Sequence, residues 1–265
     1  MKSAAFFRLV LVATIAVAIS YSCTEKIDLV LKNSEPQLVI EGNISDEPGP
    51  YYVILTKSRL YNDDNSFTGL SGATVVLSDD AGNSDTLTSN IDGLYQTNFI
   101  QGTVGRTYHL QVNAEGKTYD SYCMMPTPVD IDSIVITEET GFDGKTRKVG
   151  DILVRDPAGV QNNYRVVSEM QGYKSSGFSV HSDRLWDGKL RSFNVPHSDY
   201  QTGDTLTVSL WSITEHVYKY FRDFNQNQNN FGAPAAPANP TSVFTPSTLG
   251  YFSAHSVKTK TVIVP

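Results

Sequence analysis

The chain has 265 residues, 40% of them hydrophobic and 18% charged, with a formal net charge of -7 and a pI near 5.2. This supplies enough apolar material for a real core. The acidic balance and the lack of a basic cluster speak against a nucleic-acid partner. The 14 Tyr and 12 Phe, among many Val, Thr and Ser, favour strands over helices, and the 19 Gly and 12 Pro fit many turns.

The N-terminus carries Lys2 and Arg8, then an apolar run over residues 9–19, then Ser20, Tyr21, Ser22 and Cys23. That run is too short for a bilayer core of about 30 Å and has the length of a secretory h-region. Small residues before a cysteine suit a lipoprotein signal peptidase. The favoured reading is a lipoprotein signal peptide over residues 1–22, with Cys23 as the lipidated first residue of the mature chain. Cleavage by a general signal peptidase and an uncleaved anchor are the alternatives. Residues 23–35 read as a tether. Lipidation of Cys23 would leave Cys123 without a partner in the chain, which excludes an internal disulfide framework. Cys123 itself reads as a small buried hydrophobe, ahead of a reactive thiol.

From Gln37 onward the pattern turns to short strands. They are predicted at residues 37–44, 51–56, 73–78, 93–97, 107–112 and 117–122, with turn clusters at 46–50, 79–83 and 90–93. This spacing predicts an immunoglobulin- or transthyretin-like β-sandwich over residues 36–127. A second β-rich domain is expected over 128–265, with strands near 131–136, 151–154, 163–168, 178–180, 193–195, 205–211, 250–254 and 257–264. Its one amphipathic helix falls near 214–226. Ser212 or Thr214 would cap it, Glu215 would sit near its positive end, and Val217, Tyr220, Phe221 and Phe224 would pack on the sheet. The same aromatic stripe as a ligand platform is the lesser reading. Residues 231–246, rich in Pro, Ala and Asn, form a long irregular loop of a kind that is often functional.

No constellation for catalysis stands out. The five histidines His109, His181, His197, His216 and His255 form no metal-ligand pair, and no nucleophile elbow, phosphate loop or dinucleotide fingerprint occurs. Ser179, His181 and Asp183 are close in sequence, as are His197, Ser198 and Asp199. Triads are assembled from distant segments, so this proximity carries no weight. The acidic stretch 79–85 lacks the ligand alternation and closing Glu of a calcium loop, so it is read as a hairpin turn. Residues 62–65 are read the same way. Trp186 is expected in the core, with an exposed sugar or partner contact as the alternative. The expectation is therefore no catalytic residues, no metal and no cofactor, with the ligand-binding residues unknown.

Two resemblances sharpen this. Gly72-Ala73-Thr74-Val75, Asp80-Ala81-Gly82, Asp92-Gly93-Leu94-Tyr95 and residues 105–110 together look like transthyretin-like modules of carboxypeptidase regulatory domains. Further along, Asp156-Pro157, Asn163-Tyr164-Arg165, Gly203-Asp204-Thr205, Tyr218-Lys219-Tyr220-Phe221, Asn239-Pro240 and residues 249–254 occur in order. With the Ser-Cys signal end, Val39-Ile40-Glu41-Gly42, Gly49-Pro50-Tyr51 and Ile131-Asp132-Ser133, they resemble the Bacteroidota lipoprotein family labelled domain-of-unknown-function 4249. That resemblance implies an outer-membrane lipoprotein, anchored through its lipid, that serves a TonB-dependent nutrient transporter as accessory or ligand-binding partner. It implies no binding residues. Residues 24–28 are only mildly acidic, which leaves the periplasmic and cell-surface leaflets both open. A surface adhesin or structural β module is the alternative, and an envelope hydrolase the third.

Overall fold

Alternation of apolar and polar side chains gives most of the strands one buried and one outward row. In the computed structural model, which describes residues 35–59, 68–196, 200–229 and 239–265, fifteen strands and one helix occur among those residues. Cys23, the tether up to residue 34, residues 60–67, the His197-Ser198-Asp199 group and residues 230–238 of the Pro- and Asn-rich loop lie outside them.

The first strands are β1 (Leu38–Ser45), β2 (Tyr52–Lys57), β3 (Thr74–Asp79), β4 (Ser84–Thr86), β5 (Thr88–Ile91), β6 (Leu94–Gln96), β7 (Thr107–Ala114) and β8 (Lys117–Met124). The later ones are β9 (Ile131–Thr140), β10 (Thr146–Arg155), β11 (Asn163–Met170), β12 (Tyr173–Ser182), β13 (Leu190–Asn194) and β14 (Thr205–Ile213). Helix α1 (Glu215–Asn229) and β15 (Leu249–Ile263) complete the order. The fold is mainly β, as the composition indicates. The helix falls where the periodicity puts it and runs three residues past 226. Thr214 supplies its cap: the Thr214 carbonyl accepts the Tyr218 amide at 2.9 Å.

One eight-stranded sheet, ordered β12-β11-β14-β15-β1-β2-β6-β5, runs through the molecule, and two smaller sheets cover its inner side. These are β4-β3-β7-β8 and β13-β10-β9. Two hydrophobic clusters result. The first contains Ile40, Ile44, Leu55, Leu77, Tyr108, Leu110 and Val112. The second contains Ile152, Val154, Tyr164, Val166, Leu206, Val208 and Leu210. The helix and the start of β15 follow the second cluster's strands in sequence, yet Ile213, Val217, Phe221, Phe252 and Ala254 pack into the first.

That arrangement follows from how β15 pairs. Residues 249–255 run parallel to β1, with Leu249 opposite Val39 and His255 opposite Ser45. Residues 256–263 then pair antiparallel with β14, from Ser256 opposite Ser212 to Ile263 opposite Thr205. At the handover, Asp46 accepts the Val257 amide at 2.8 Å. Gly250 has φ 98°, and a Cβ there would lie 2.0 Å from the Ile40 carbonyl oxygen, so the close approach to β1 requires glycine. Pro36–Pro265 is one compact unit. Among the described residues, no helix is long and apolar enough to cross a membrane.

Candidate functional site

The outer side of the long sheet differs in chemistry from its inner side. On β1 the inward row is Leu38, Ile40 and Ile44, and the opposite row is Val39, Glu41, Asn43 and Ser45. Register brings further outward residues alongside. Glu41 lies opposite Tyr251, Asn43 opposite Ser253 and Ser45 opposite His255. Arg165 on β11 lies opposite Trp211 on β14, which lies opposite Val257 on β15. Thr207–Thr261 and Ser209–Thr259 hydroxyl pairs, at 3.0 and 2.9 Å, continue the row.

Helix α1 covers one part of this face. Its Tyr220 and Phe221 rings meet Tyr251 at 5.2 and 4.7 Å between centroids, and Phe221 meets Phe178 at 5.1 Å. The Arg165 guanidinium is enclosed by aromatic faces: Phe221 at 4.0 Å, Phe178 at 4.6 Å and Trp211 at 4.7 Å. Cation–π attraction offsets part of its desolvation. Among the described residues no carboxylate lies within 4.0 Å of it, and its buried Nε has no hydrogen-bond partner. Burial pulls the Arg165 pKa down, and the neighbouring Tyr251 hydroxyl and Glu41 charge work against that pull. Burial also raises the Glu41 pKa, against the attraction of Arg165.

The Tyr251 hydroxyl accepts a 3.0 Å bond from Asn43 Nδ2. The other amide atom, Asn43 Oδ1, is buried and unpartnered. His255 is buried with its Nδ1 at 3.0 Å from Ser253 Oγ, and its ring stacks on Trp211 at 3.9 Å and 10°. Burial, then the Arg165 charge, takes its pKa from 6.5 to about 3, so the ring is neutral.

The uncovered part of the face holds two adjoining hollows. One, of about 260 Å³, is lined by Arg165, Glu169, Thr207 and Ser209 among others. The second, of about 330 Å³, is lined by Glu41, Asn43, Ser45, Tyr52 and His255 among others. Glu47, Lys174, Trp211 and Val257 line both. Polar and charged side chains make up most of the lining, with Trp211 and Val257 as the apolar residues common to both hollows.

A second constellation gathers Asp156, Asp183 and Asp187, with carboxylate oxygens within 4.8 Å of one another. Three carboxylates at that spacing are a donor set for a hard divalent cation. Each is also occupied in holding a loop. Asp156 accepts the Tyr164 hydroxyl at 2.5 Å and the Gly188 amide at 2.9 Å. Asp183 accepts the Asn162 amide at 2.6 Å, and Asp187 the Gly159 amide at 2.9 Å. Burial, and then repulsion from Asp156 and Asp187, raises the Asp183 pKa against the Asn162 bonds. The sequence reading, which sets no metal site, missed this trio because its members stand on loops far apart in the chain. Asp156 stands in the Asp156-Pro157 segment, and Asp183 and Asp187 flank Trp186.

The residues singled out in the sequence take these places. Trp186 is buried and stacks on Tyr164 at 6.0 Å. Cys123 is a buried free thiol whose pKa burial pushes up. Asp79 and Asp85 hold turns: Asp79 accepts Asn83, Ala81 and Arg106, and Asp85 accepts the amides of Asn98, Phe99 and Ile100. His109 bonds Asp120 at 2.7 Å and stacks on Tyr122 at 4.2 Å. Of the helix stripe, Val217, Tyr220 and Phe221 are buried and Phe224 sits at the margin.

Ser179 and His181 do come together, with Oγ 3.1 Å from Nε2. Ser179 also donates to the Asn194 carbonyl at 3.2 Å, and His181 lies flat on Phe193 at 4.1 Å. Burial lowers the His181 pKa from 6.5 to about 4, and neither residue lines the two hollows. Asp183 takes its bonds from Asn162 and is not a hydrogen-bond partner of His181 among the described residues.

A family model described as "Domain of unknown function (DUF4249)" matches residues 24–261. No curated protein matches the chain. Among solved structures, the Yersinia pseudotuberculosis adhesin InvE is similar at 16% identity and a TM-score of 0.23, over 68% of this chain. The match spans 58% of that adhesin chain, less than two thirds of its length. The chicken interferon gamma receptor alpha chain is similar at 9% identity and a TM-score of 0.21, over 68% of this chain and 90% of that one.

Proposed function

The chain belongs to the DUF4249 family, and from that premise we propose a non-catalytic, lipid-anchored cell-envelope protein. It holds a small polar ligand on the outer face of its long sheet and serves a TonB-dependent outer-membrane transporter. The observation that carries the binding role is the pair of hollows beside buried, unfilled hydrogen-bonding atoms on Arg165 and Asn43. Leaving such an atom unfilled costs about 1–3 kcal/mol, so a partner that fills it is favoured. The membrane anchor rests on Cys23 after its apolar segment. The transporter rests on the family resemblance.

The test is a pull-down of the tagged full-length protein from native outer membranes, read by mass spectrometry, with intact-mass analysis of the bait. The expected result is a stoichiometric TonB-dependent receptor and a bait carrying acyl mass at Cys23. A solitary bait would remove the transporter role, and a bait without acyl mass would remove the anchor.

A further inference from the structure

Arg165 and Asn43 offer complementary vacancies. Arg165 Nε is a charged donor with nothing to donate to, and Asn43 Oδ1 is an acceptor with nothing to accept. The two side chains approach one hydroxyl: Asn43 Nδ2 bonds Tyr251 at 3.0 Å, and Arg165 lies beside the same oxygen. Each lines one of the two adjoining hollows, and Lys174 lines both. A buried guanidinium lacking a carboxylate is most strongly satisfied by a bidentate oxyanion. The acids Glu41, Glu47 and Glu169 around the same hollows oppose a polyanion by like-charge repulsion.

We propose that this face takes a small monocarboxylate that also carries an N–H or O–H donor, its carboxylate on Arg165 and its donor on Asn43. This rests on the ligand-holding reading above and specifies its chemistry. Trp211 and Val257, shared by both hollows, form the apolar divide over which the ligand's carbon skeleton lies. Such chemistry comes from two sources, a peptide C-terminus or an acidic sugar.

The experiment uses the whole chain with Trp186→Phe, so that Trp211 is its fluorescent reporter. N-acetyltrialanine and galacturonate are the carboxylate probes, with N-acetyltrialanine amide and galactose as neutral counterparts. Binding is read by Trp211 emission and by the ¹⁵N–¹H resonance of Arg165 Nε. The expected result is saturable binding of at least one carboxylate, a shift of that resonance, and at least about tenfold weaker binding of its neutral counterpart, equivalent to about 1.4 kcal/mol. Which arm responds identifies the source. Arg165→Met abolishes the preference. Arg165→Lys, which keeps the charge without the Nε, weakens it and serves if the methionine variant does not fold. Equal binding of acid and neutral probes at Trp211 would overturn the carboxylate assignment and leave the ligand-holding reading standing. No response to any of the four probes would overturn the assignment too, and the pull-down would then decide the broader reading alone.

Discussion

Asp85 and Arg165 are both ionisable side chains withdrawn from water, and their surroundings could hardly differ more. The Asp85 carboxylate receives the backbone amides of Asn98, Phe99 and Ile100 at 2.8–3.1 Å, and the Asn98 side chain at 2.9 Å. It fastens the segment after β6 to the β3–β4 hairpin and has nothing left to offer. Arg165 is wrapped in ring faces, lacks a carboxylate in contact among the described residues, keeps its buried Nε unfilled, and belongs to the lining of a hollow. A saturated buried charge is architecture, and an unsaturated one at a hollow is the group the proposed ligand would fill.

The contrast yields measurable differences. Asp85→Ala strips three backbone amides of their acceptor and should cost about 3–5 kcal/mol in urea unfolding. Burial pushes the Asp85 pKa up, but those amide bonds outweigh it and hold the value below 3.8. Its stabilisation is therefore present above pH 3.8 and is lost as pH falls through the lower folded value.

Buried His255 and half-buried His181 give the next effect. His255 titrates at about 3 and His181 at about 4 in the folded chain, against 6.5 unfolded. Their folded pKa values are depressed, so both are neutral without penalty above pH 6.5. The unfolded state gains protons first as pH falls, and stability drops between pH 6.5 and about 3. His255→Gln should flatten that slope by up to about 5 kcal/mol across the window, measured by chemical denaturation at a series of pH values. An unchanged slope would mean that His255 is protonated in place.

Tyr164→Phe removes the hydroxyl donated to buried Asp156 and should cost about 1.5–3 kcal/mol, again by urea midpoint. Arg165→Met should be the mildest, within about 1 kcal/mol of the parent, since an apolar chain replaces a desolvated cation among aromatic rings. A loss there as large as that of Asp85→Ala would make Arg165 structural and erase the distinction.

Much of the architecture is legible in local sequence. β7 alternates from Thr107 to Ala114 and buries Tyr108, Leu110 and Val112. The acidic stretch after β3 is a turn because Asp79 folds back on Ala81 and Asn83. The outer face was not legible. On β11 the same alternation that sends Tyr164 and Val166 inward sends Arg165 outward. An outward arginine reads as solvated until a helix from a distant segment is laid over it. The pairing of β1 with β15 is parallel and long-range, so no hairpin turn announces it. The aspartate trio is hidden for the same reason, with Asp156 and Asp183 brought together by tertiary packing alone.

The double role of β15 also governs how the molecule comes apart. Its first half closes the sheet of one cluster and its second half closes that of the other, and Thr248 bonds the Leu38 carbonyl 210 residues away. Melting either half of the strand would expose an edge of the other. In synthesis, β1 has no partner on that side until β15 has been made, and high contact order makes this closure slow. A chain that delays its closing step stays extended and threadable for longer than one whose sheet closes through local hairpins.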